Sequence, residues 1–246
     1  MRLPDLRVGA SRPGQAVRLQ GLPFPGAVQS SGAVEEASGW RMGSGPSGSR
    51  WPVELREGAI TLRPMRRRDG RRWRSIRNAN AGWLAPWEAT HPDAAELPPS
   101  FPQMVRSFNR EARAGRMLPF AVDLDDVLVG QLTVSGITWG SLRSAHIGYW
   151  IDRRYAGRGI IPTSVALATD HCFSLGLHRV ELNIRPENQA SLRVADKLGF
   201  RPEGVRARYL HIDGAWRDHA TFALTVEDVP GGLMARWRSI LSWPPQ

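Results

Sequence analysis

Apolar and polar positions divide the chain into two regions. Residues 1–50 are rich in Gly, Ser, Pro, Ala and Arg, and they sustain neither the two-residue period of a strand nor the 3.6-residue period of a helix. Such a composition is typical of disorder. We therefore expect an N-terminal extension over residues 1–50 and one folded domain over residues 51–246. A regulatory tail and a translation start at Met42 are alternatives for the extension.

Alternating apolar residues predict four strands in the first half of the domain, and Asp125-Asp126 marks a hairpin between two of them. Arg63-Pro64 is expected to end the first strand. Helical spacing predicts two helices, and Asp69 is a suitable N-cap for the first. The predicted strands are 59–62, 117–123, 127–134 and 143–151, and the predicted helices are 70–80 and 101–114.

A segment broken by prolines lies between these two helices and carries Trp83, Trp87, Glu88 and His91. It is expected to form loop and short helix over the core. Packing as a satellite of the core is the favoured interpretation of its aromatic residues. A wall of a binding site is the alternative.

The second half of the domain alternates strands with helices. A buried strand over residues 145–151 precedes a helix in which Ile161, Val165, Ala168 and Cys172 recur at helical spacing. A strand over residues 179–184 and a helix between Asn188 and Gly199 follow, and Asp213-Gly214 marks a last hairpin. This order predicts an α/β sheet that is parallel near residue 157 and antiparallel at both ends.

The turn over residues 152–160 joins the buried strand to the following helix through a basic stretch with Gly157 and Gly159. A helix start leaves backbone N–H groups unpaired, and glycine lets an anion approach them closely. The turn therefore predicts a phosphate site, with charge added by Arg153, Arg154 and Arg158. A plain strand-to-helix connection in an arginine-rich chain is the alternative.

Arg154, Gly157 and Gly159 occupy the defining positions of a turn that resembles the Arg/Gln-x-x-Gly-x-Gly/Ala acetyl-CoA loop of the GNAT N-acetyltransferases. The segments Asn188-Gln189-Ala190-Ser191 and Lys197-Leu198-Gly199-Phe200 are similar to a second signature of that family. The resemblance extends over roughly residues 53–228. It is strongest toward the ribosomal-protein alanine N-acetyltransferases of the RimJ/RimL type, through Arg206, Tyr209 and the hairpin at Asp213-Gly214-x-Trp216-x-Asp218.

This resemblance implies the GNAT fold, with a mixed central sheet in which an antiparallel meander precedes a β-α-β-α unit and a C-terminal β-hairpin. It also implies acetyl-CoA as the cosubstrate. The backbone of Arg158, Gly159 and Ile160 would hold the CoA pyrophosphate, beside the signature residues Arg154 and Gly157. Asn188 would contact the CoA arm in addition to capping its helix.

Acetyl transfer needs further groups near the thioester. The strand end at Gly148-Tyr149-Trp150-Ile151 can direct free backbone N–H groups at the thioester carbonyl, and Trp150 and Ile151 are the residues expected to bind the cofactor there. The resemblance favours Ser191 as the partner of the leaving thiolate, and a hydroxyl bonded back to its own helix is the alternative. Glu181 can take the proton of the amine, and a structural carboxylate paired with an arginine is an equally strong interpretation.

Composition adds constraints on partners and compartment. The chain has 33 basic and 23 acidic residues, a net charge of +10, which favours polyanions such as a CoA tail or ribosomal RNA. The arginines between Arg66 and Arg77 are typical of a solvated helix face, with a docking patch for rRNA or an acidic partner as the alternative. The single Cys172 excludes an internal disulfide and fits the cytoplasm. No metal-ligand spacing, membrane-spanning run or secretion signal is recognised.

The leading hypothesis is a cytoplasmic acetyl-CoA-dependent N-acetyltransferase that acts on the N-terminal α-amino group of a protein, with a ribosomal protein as the expected acceptor. An enzyme of the same fold that acetylates a small-molecule amine is the second hypothesis. A non-catalytic ribosome- or RNA-binding protein with a vestigial CoA site is the third. The scarcity of acidic residues between Trp83 and Pro119 favours a protein terminus. Monomer and homodimer are both compatible with the sequence.

Overall fold

Eight strands form one mixed sheet at the centre of the computed structural model, which describes residues 51–93 and 99–242. The strands are β1 (Leu55–Glu57), β2 (Ile60–Pro64), β3 (Leu118–Leu124), β4 (Val127–Thr138), β5 (Ser144–Ile151), β6 (Arg179–Ile184), β7 (Arg201–Ile212) and β8 (Ala215–Thr225). Their order is β1-β2-β3-β4-β5-β6-β8-β7, and β5 with β6 is the parallel pair among antiparallel ones. The predicted α/β class is confirmed, and the predicted extension over residues 1–50 lies outside the described residues.

Six α-helices of the described chain cover the sheet. They are α1 (Gly70–Ala79), α2 (Ala81–Leu84), α3 (Phe101–Arg113), α4 (Ile160–Ser174), α5 (Gln189–Leu198) and α6 (Leu233–Ser242). Short 3₁₀ turns precede α1, follow α2, join β5 to α4 and follow β8. None of the helices in these ranges has the length and apolar content that crossing a bilayer requires.

The core lies in two layers because successive side chains of a strand point to opposite faces of the sheet. Phe120 and Val122 of β3 belong to the larger cluster, which contains the buried residues of α4, α5 and α6. Ala121 between them belongs to a smaller cluster with Ile76 of α1 and Phe108 of α3. Both faces of the central strands are therefore covered by helices.

The start of the sheet differs from the prediction. β2 runs through Pro64 instead of ending at Leu62, and β1, which was not predicted, pairs with it in a hairpin at Gly58. Pro64 pairs with Phe120 of β3, while the pairing with β1 stops at Leu62. The missing N–H of Pro64 therefore interrupts no ladder on the β1 side, and the strand continues.

Asp69 does not cap α1 as predicted, because a buried arginine takes its carboxylate. Arg63 donates to Asp69 at 2.8 Å and to Asp123 at 2.6 Å, and the Arg66 N–H donates to Asp69 at 2.7 Å. All three charged side chains of the Arg63 cluster are nearly excluded from solvent. Leaving a buried guanidinium without counter-ions costs more free energy than leaving a helix end without a side-chain cap, because water can bond to the N–H groups of an exposed helix end.

Helix α6 was not predicted from the sequence. Its first backbone N–H groups, at Leu233 and Met234, donate to the Asp170 carboxylate of α4 at 2.6 and 2.9 Å. Trp237 is buried and donates its indole N–H to Thr163 of α4 at 2.8 Å. The cap of α6 thus comes from a residue distant in sequence, so no local signal marks the helix start.

Candidate functional site

The parallel strands β5 and β6 separate after a short paired stretch. Their register contains Ser144↔Arg179, Ala145↔Val180 and His146↔Glu181. Beyond these three pairs, residues 147–151 of β5 and 182–184 of β6 line a cavity of about 530 Å³. The backbone groups on this side of β5 have no strand partner there, so they are available to a ligand.

The direction of these backbone groups follows from the pairing of β5 with β4. The Asp152 N–H donates to the Val129 carbonyl at 2.8 Å, so residue 152 faces β4. Because backbone groups alternate sides along a strand, Tyr149 and Ile151 direct their N–H groups into the gap, and Trp150 directs its own toward β4. Ile151 therefore offers a backbone donor, whereas Trp150 lines the cavity with its indole.

The glycine turn lies at the other end of the cavity and opens α4. Gly157 and Gly159 have φ values of +78° and +76°, in the left-handed region that favours glycine, and Gly159 is the N-cap residue. The first intrahelical bond runs from the Thr163 N–H to the Gly159 carbonyl, so the N–H groups of Ile160 and Ile161 have no helical partner. Space for a ligand is present, since a Cβ on Gly157 would meet no atom within 4 Å.

A buried hydrogen-bond network holds this turn in place. Asp152 is fully buried and accepts from the Arg154 guanidinium, with a shortest distance of 2.6 Å, and from the Asn80 amide at 3.2 Å. Asn80, at the end of α1, also accepts from the Arg153 N–H at 2.9 Å. Burial acts to raise the pKa of Asp152, but the hydrogen bonds from Arg154 and Asn80 outweigh it and lower that pKa. Arg154 therefore stabilises the turn through its ion pair with Asp152, and its charge is not left uncompensated for an incoming anion.

The opposite wall of the cavity is the start of α5. The Asn188 side chain accepts from the Ser191 N–H at 3.1 Å, which confirms Asn188 as the helix cap. The Ser191 hydroxyl lines the cavity and makes no bond to its own helix within the described chain. Burial raises the pKa of the neighbouring Tyr149 to about 12, against a smaller opposing effect of the Ser191 hydroxyl.

The glycine turn, the separated strands and the Asn188 helix together define one continuous site. The chain matches the sequence profile of the acetyltransferase (GNAT) domain over residues 59–201. The chain belongs to the GNAT acetyltransferase family.

Two relatives and one solved structure illustrate the breadth of this similarity. The [ribosomal protein uS5]-alanine N-acetyltransferase of Escherichia coli K12 is 29% identical over 188 residues, covering 73% of this chain and 94% of that protein. The probable N-acetyltransferase YjcK of Bacillus subtilis is 39% identical over 105 residues, which cover 42% of this chain and 58% of that protein. Mycobacterium smegmatis RimJ, solved in complex with CoA-disulfide, is 42% identical with a TM-score of 0.71, covering 77% of this chain and 95% of that chain.

Glu181 of this GNAT domain lies just outside the gap. It belongs to the last paired position of β5 and β6 and is not among the residues that line the cavity. Its carboxylate accepts from Arg179 at 2.8 Å and from Arg206 at 2.8 Å. These contacts favour the structural interpretation of Glu181 over the catalytic one.

The loop aromatic residues line the cavity, so their interpretation as a satellite of the core is wrong. Trp83 and Trp87 are half-buried at its mouth, with Arg153 and Arg185 each stacked 5.5 Å from a ring centre. Glu88 also lines the cavity, and His91 is exposed outside it. The reason is tertiary: α1 and α2 carry this segment across the open end of the β5–β6 gap.

Two contributors to the site, Asn80 and His219, were not predicted from the sequence. Tyr149, in contrast, belongs to the strand end from which backbone donors were expected, and it lies on the same side of β5 as Ile151. Asn80 and His219 carry no local signal, since each meets the site only through the packing of distant elements. Within the described residues, no three His, Cys, Asp or Glu side chains come together as a metal site would require.

Proposed function

We propose that this chain is an acetyl-CoA-dependent N-acetyltransferase that acts on the N-terminal α-amino group of a protein, with a ribosomal protein as the acceptor. The observation that carries the proposal is the continuity of one cavity from the glycine turn, through the β5–β6 gap, to the aromatic mouth at Trp83 and Trp87. Such a passage lets a phosphate-bearing thioester and an amine approach each other from opposite ends. The similarity to the alanine N-acetyltransferases supports this choice of acceptor.

The proposed CoA-binding site consists of backbone groups more than of side chains. Gly157, Arg158, Gly159 and Ile160 offer N–H groups and the positive end of the α4 dipole to the pyrophosphate. The Arg158 side chain stacks 5.2 Å from the centre of the Tyr155 ring at the same turn. Asn188 lines the opposite wall of the cavity and would contact the CoA arm from there.

Acyl transfer also needs donors for the oxyanion and for the leaving sulfur. The N–H groups of Ile151 and Tyr149 would stabilise the developing oxyanion, and one such donor typically contributes about 3 kcal/mol. Ser191 would donate its hydroxyl hydrogen bond to the departing thiolate. Trp150 would close the gap from the side of α1, where Arg77 lies 5.3 Å from its ring centre.

The charges around the mouth favour an acceptor with one amine over a small polycation. Two carboxylates line the described cavity, and both are paired: Glu88 with Arg77, and Glu187 with Arg185. The cavity therefore has no uncompensated negative charge with which to hold a polyamine.

We further propose that the start of α1 contacts ribosomal RNA near the acceptor. Arg66 and Arg77 have carboxylate partners, and Arg72 donates to a backbone carbonyl. The remaining arginines are exposed, and their side chains form no ion pair within the described chain: Arg67, Arg68, Arg71 and Arg74. This group, the α1 arginine patch, adjoins the mouth because Arg77 and Trp83 line the cavity just beyond it.

Thiol release in the presence of acetyl-CoA tests the function. We expect rapid release with peptides that copy ribosomal-protein N-termini beginning with alanine, and little release with spermidine or aminoglycosides. Blocking the α-amino group of the same peptide should abolish the reaction. Faster turnover of the small amines would instead support the second hypothesis, and no turnover of any amine would contradict an enzymatic role.

The Gly157→Ala variant tests the proposed CoA-binding site, and Gly140→Ala is the matched control. Both glycines have positive φ, +78° and +75°, and neither has an atom within 4 Å of an added Cβ. Each variant should lose about 1–2 kcal/mol of unfolding free energy because alanine is strained in that region. By calorimetry, only Gly157→Ala should also weaken acetyl-CoA binding, by about 10- to 100-fold, through lost hydrogen bonds to the phosphate. Equal affinities of the two variants would remove the turn from the CoA site.

Ser191→Ala tests the thiolate partner. We expect turnover to fall by about 10- to 100-fold at neutral pH. The defect should shrink above pH about 8.5, where a free thiol ionises and the thiolate leaves unaided. Ser174→Ala, at the exposed end of α4, serves as the control and should retain normal turnover. A pH-independent defect, or none with chemistry rate-limiting, would assign Ser191 a packing role only.

Paired substitutions test the α1 arginine patch. Arg71→Gln with Arg74→Gln should raise the KM for intact ribosomal particles and reduce the salt dependence of their acetylation, because fewer phosphates are neutralised. Turnover of the free peptide should not change. Arg106→Gln with Arg113→Gln, on exposed positions of α3, removes the same charge elsewhere. Identical salt dependence in both double variants would show that net charge, not the patch, attracts the particle.

A further inference from the structure

His219 is a buried histidine that lines the cavity. It lies on β8, two residues before Thr221, which pairs with Asn183 of β6. The Thr221 hydroxyl donates to the Asn183 side chain at 2.8 Å, so this face of β8 turns toward the same side of the sheet as Asn183. Both Asn183 and His219 line the cavity, although His219 is only 3% exposed.

The hydrogen bond of His219 fixes its neutral tautomer. Its Nδ1 lies 3.1 Å from the Arg217 carbonyl oxygen, which can only accept. Nδ1 must therefore carry the hydrogen, and in the neutral ring Nε2 keeps a lone pair. Within the described chain Nε2 has no hydrogen-bond partner, and this atom is not completely buried. The cavity is consequently the place where this lone pair meets a ligand.

The surroundings keep His219 neutral at physiological pH. Burial lowers the pKa of His219 from its ordinary value, and the charge of Arg185 lowers it further. The hydrogen bond to Arg217 and the charges of Glu187 and Asp218 act in the opposite direction without reversing the shift. The other polar neighbours on facing elements are Arg206, opposite His219 in the β7 register, and Tyr209, with ring centres 5.7 Å apart.

We propose, resting on the function proposed above, that Nε2 of His219 takes a proton from the α-ammonium group of the acceptor. The nitrogen lone pair so released attacks the thioester carbon and forms the C–N bond. The C–S bond then breaks, the second proton of the nitrogen ends on the thiol sulfur by way of Ser191, and the proton on His219 passes to solvent. Ammonium and thioester thus give amide, thiol and one free proton.

The carboxylates of the site are poorer candidates for this step. Glu181 is held by two arginines outside the cavity, and Glu88 and Glu187 are each paired with an arginine inside it. In each ion pair the arginine N–H groups occupy carboxylate oxygens, so these carboxylates offer fewer free lone pairs to the amine. Compared with these carboxylates, His219 has a free Nε2 lone pair and no ion-pair partner, so it is the better-placed base.

The pH profile of His219→Gln tests the proposal. At saturating alanine-initial peptide and acetyl-CoA, wild-type kcat should fall on the acid side with an apparent pKa below about 6.5. His219→Gln should lose this limb and about 100-fold or more of kcat at pH 7, with a rate that keeps rising toward high pH as hydroxide replaces the base. Its acetyl-CoA affinity should equal that of the wild type.

His146→Gln is the matched control. His146 is a half-buried histidine on the same sheet face, and burial likewise lowers its pKa, but it does not line the cavity. Its substitution should leave the acid limb in place. Loss of the limb in both variants, or its retention in a folded His219→Gln protein, would overturn the role of His219.

The tautomer of His219 is a second, independent readout on the full wild-type chain. Nitrogen NMR of ¹⁵N-histidine-labelled protein should show His219 neutral at pH 7, with hydrogen on Nδ1. Hydrogen on Nε2, or a charged ring, would overturn the proposal even if the variant failed to fold. A wild-type chain that acetylates no peptide would overturn both proposals, whereas an active chain with an unaltered His219→Gln profile would overturn this one alone.

Discussion

The limited pairing of β5 with β6 is the constraint on which the site depends. β5 pairs with β4 over nearly its whole length, and all six residues of β6 pair with β8. The two halves of the sheet thus meet at three residue pairs of β5 and β6. Unpaired backbone groups inside a protein are costly unless a ligand satisfies them. The backbone geometry of the gap therefore favours a bound ligand, whatever side chains surround it.

The two faces of the sheet carry different groups: one face suits the CoA thioester, and the other suits the acceptor amine. On the face covered by α4, α5 and α6 lie the glycine turn, Ser191 and the neutral Tyr149, which suit phosphates and a leaving sulfur. The opposite face presents Asn183, His219 and the tryptophans of the mouth. The gap is the place where the two faces communicate. Buried charges away from the gap have partners of opposite charge close by, as with Asp152 and the Arg63 cluster. These ion pairs stabilise the fold and do not involve the groups that line the cavity.

Local chemistry made much of this architecture predictable. The bounds of β6 follow from clean alternation, and the Asn188 cap with Gly199 in the left-handed conformation follows from residue preferences at helix ends. Prediction from the sequence failed where the local structure depends on a contact with a residue that is distant in the chain. Asp170 caps α6, Arg63 takes Asp69 from α1, and the route of α2 brings Trp83 to the cavity. The separation of β5 from β6 has no sequence signal, because β5 shows the same apolar pattern in its paired and unpaired parts.

A crystal structure of the wild-type chain with acetyl-CoA is the most direct test of this account. It should show the thioester between β5 and β6, with its carbonyl oxygen accepting a hydrogen bond from the backbone N–H of Ile151 or Tyr149. The pyrophosphate should lie against the N–H groups of the turn at Gly157 and Gly159. An acetyl group bound outside the gap, with the β5 backbone donors unengaged, would contradict the claim that the separation of these strands creates the active site.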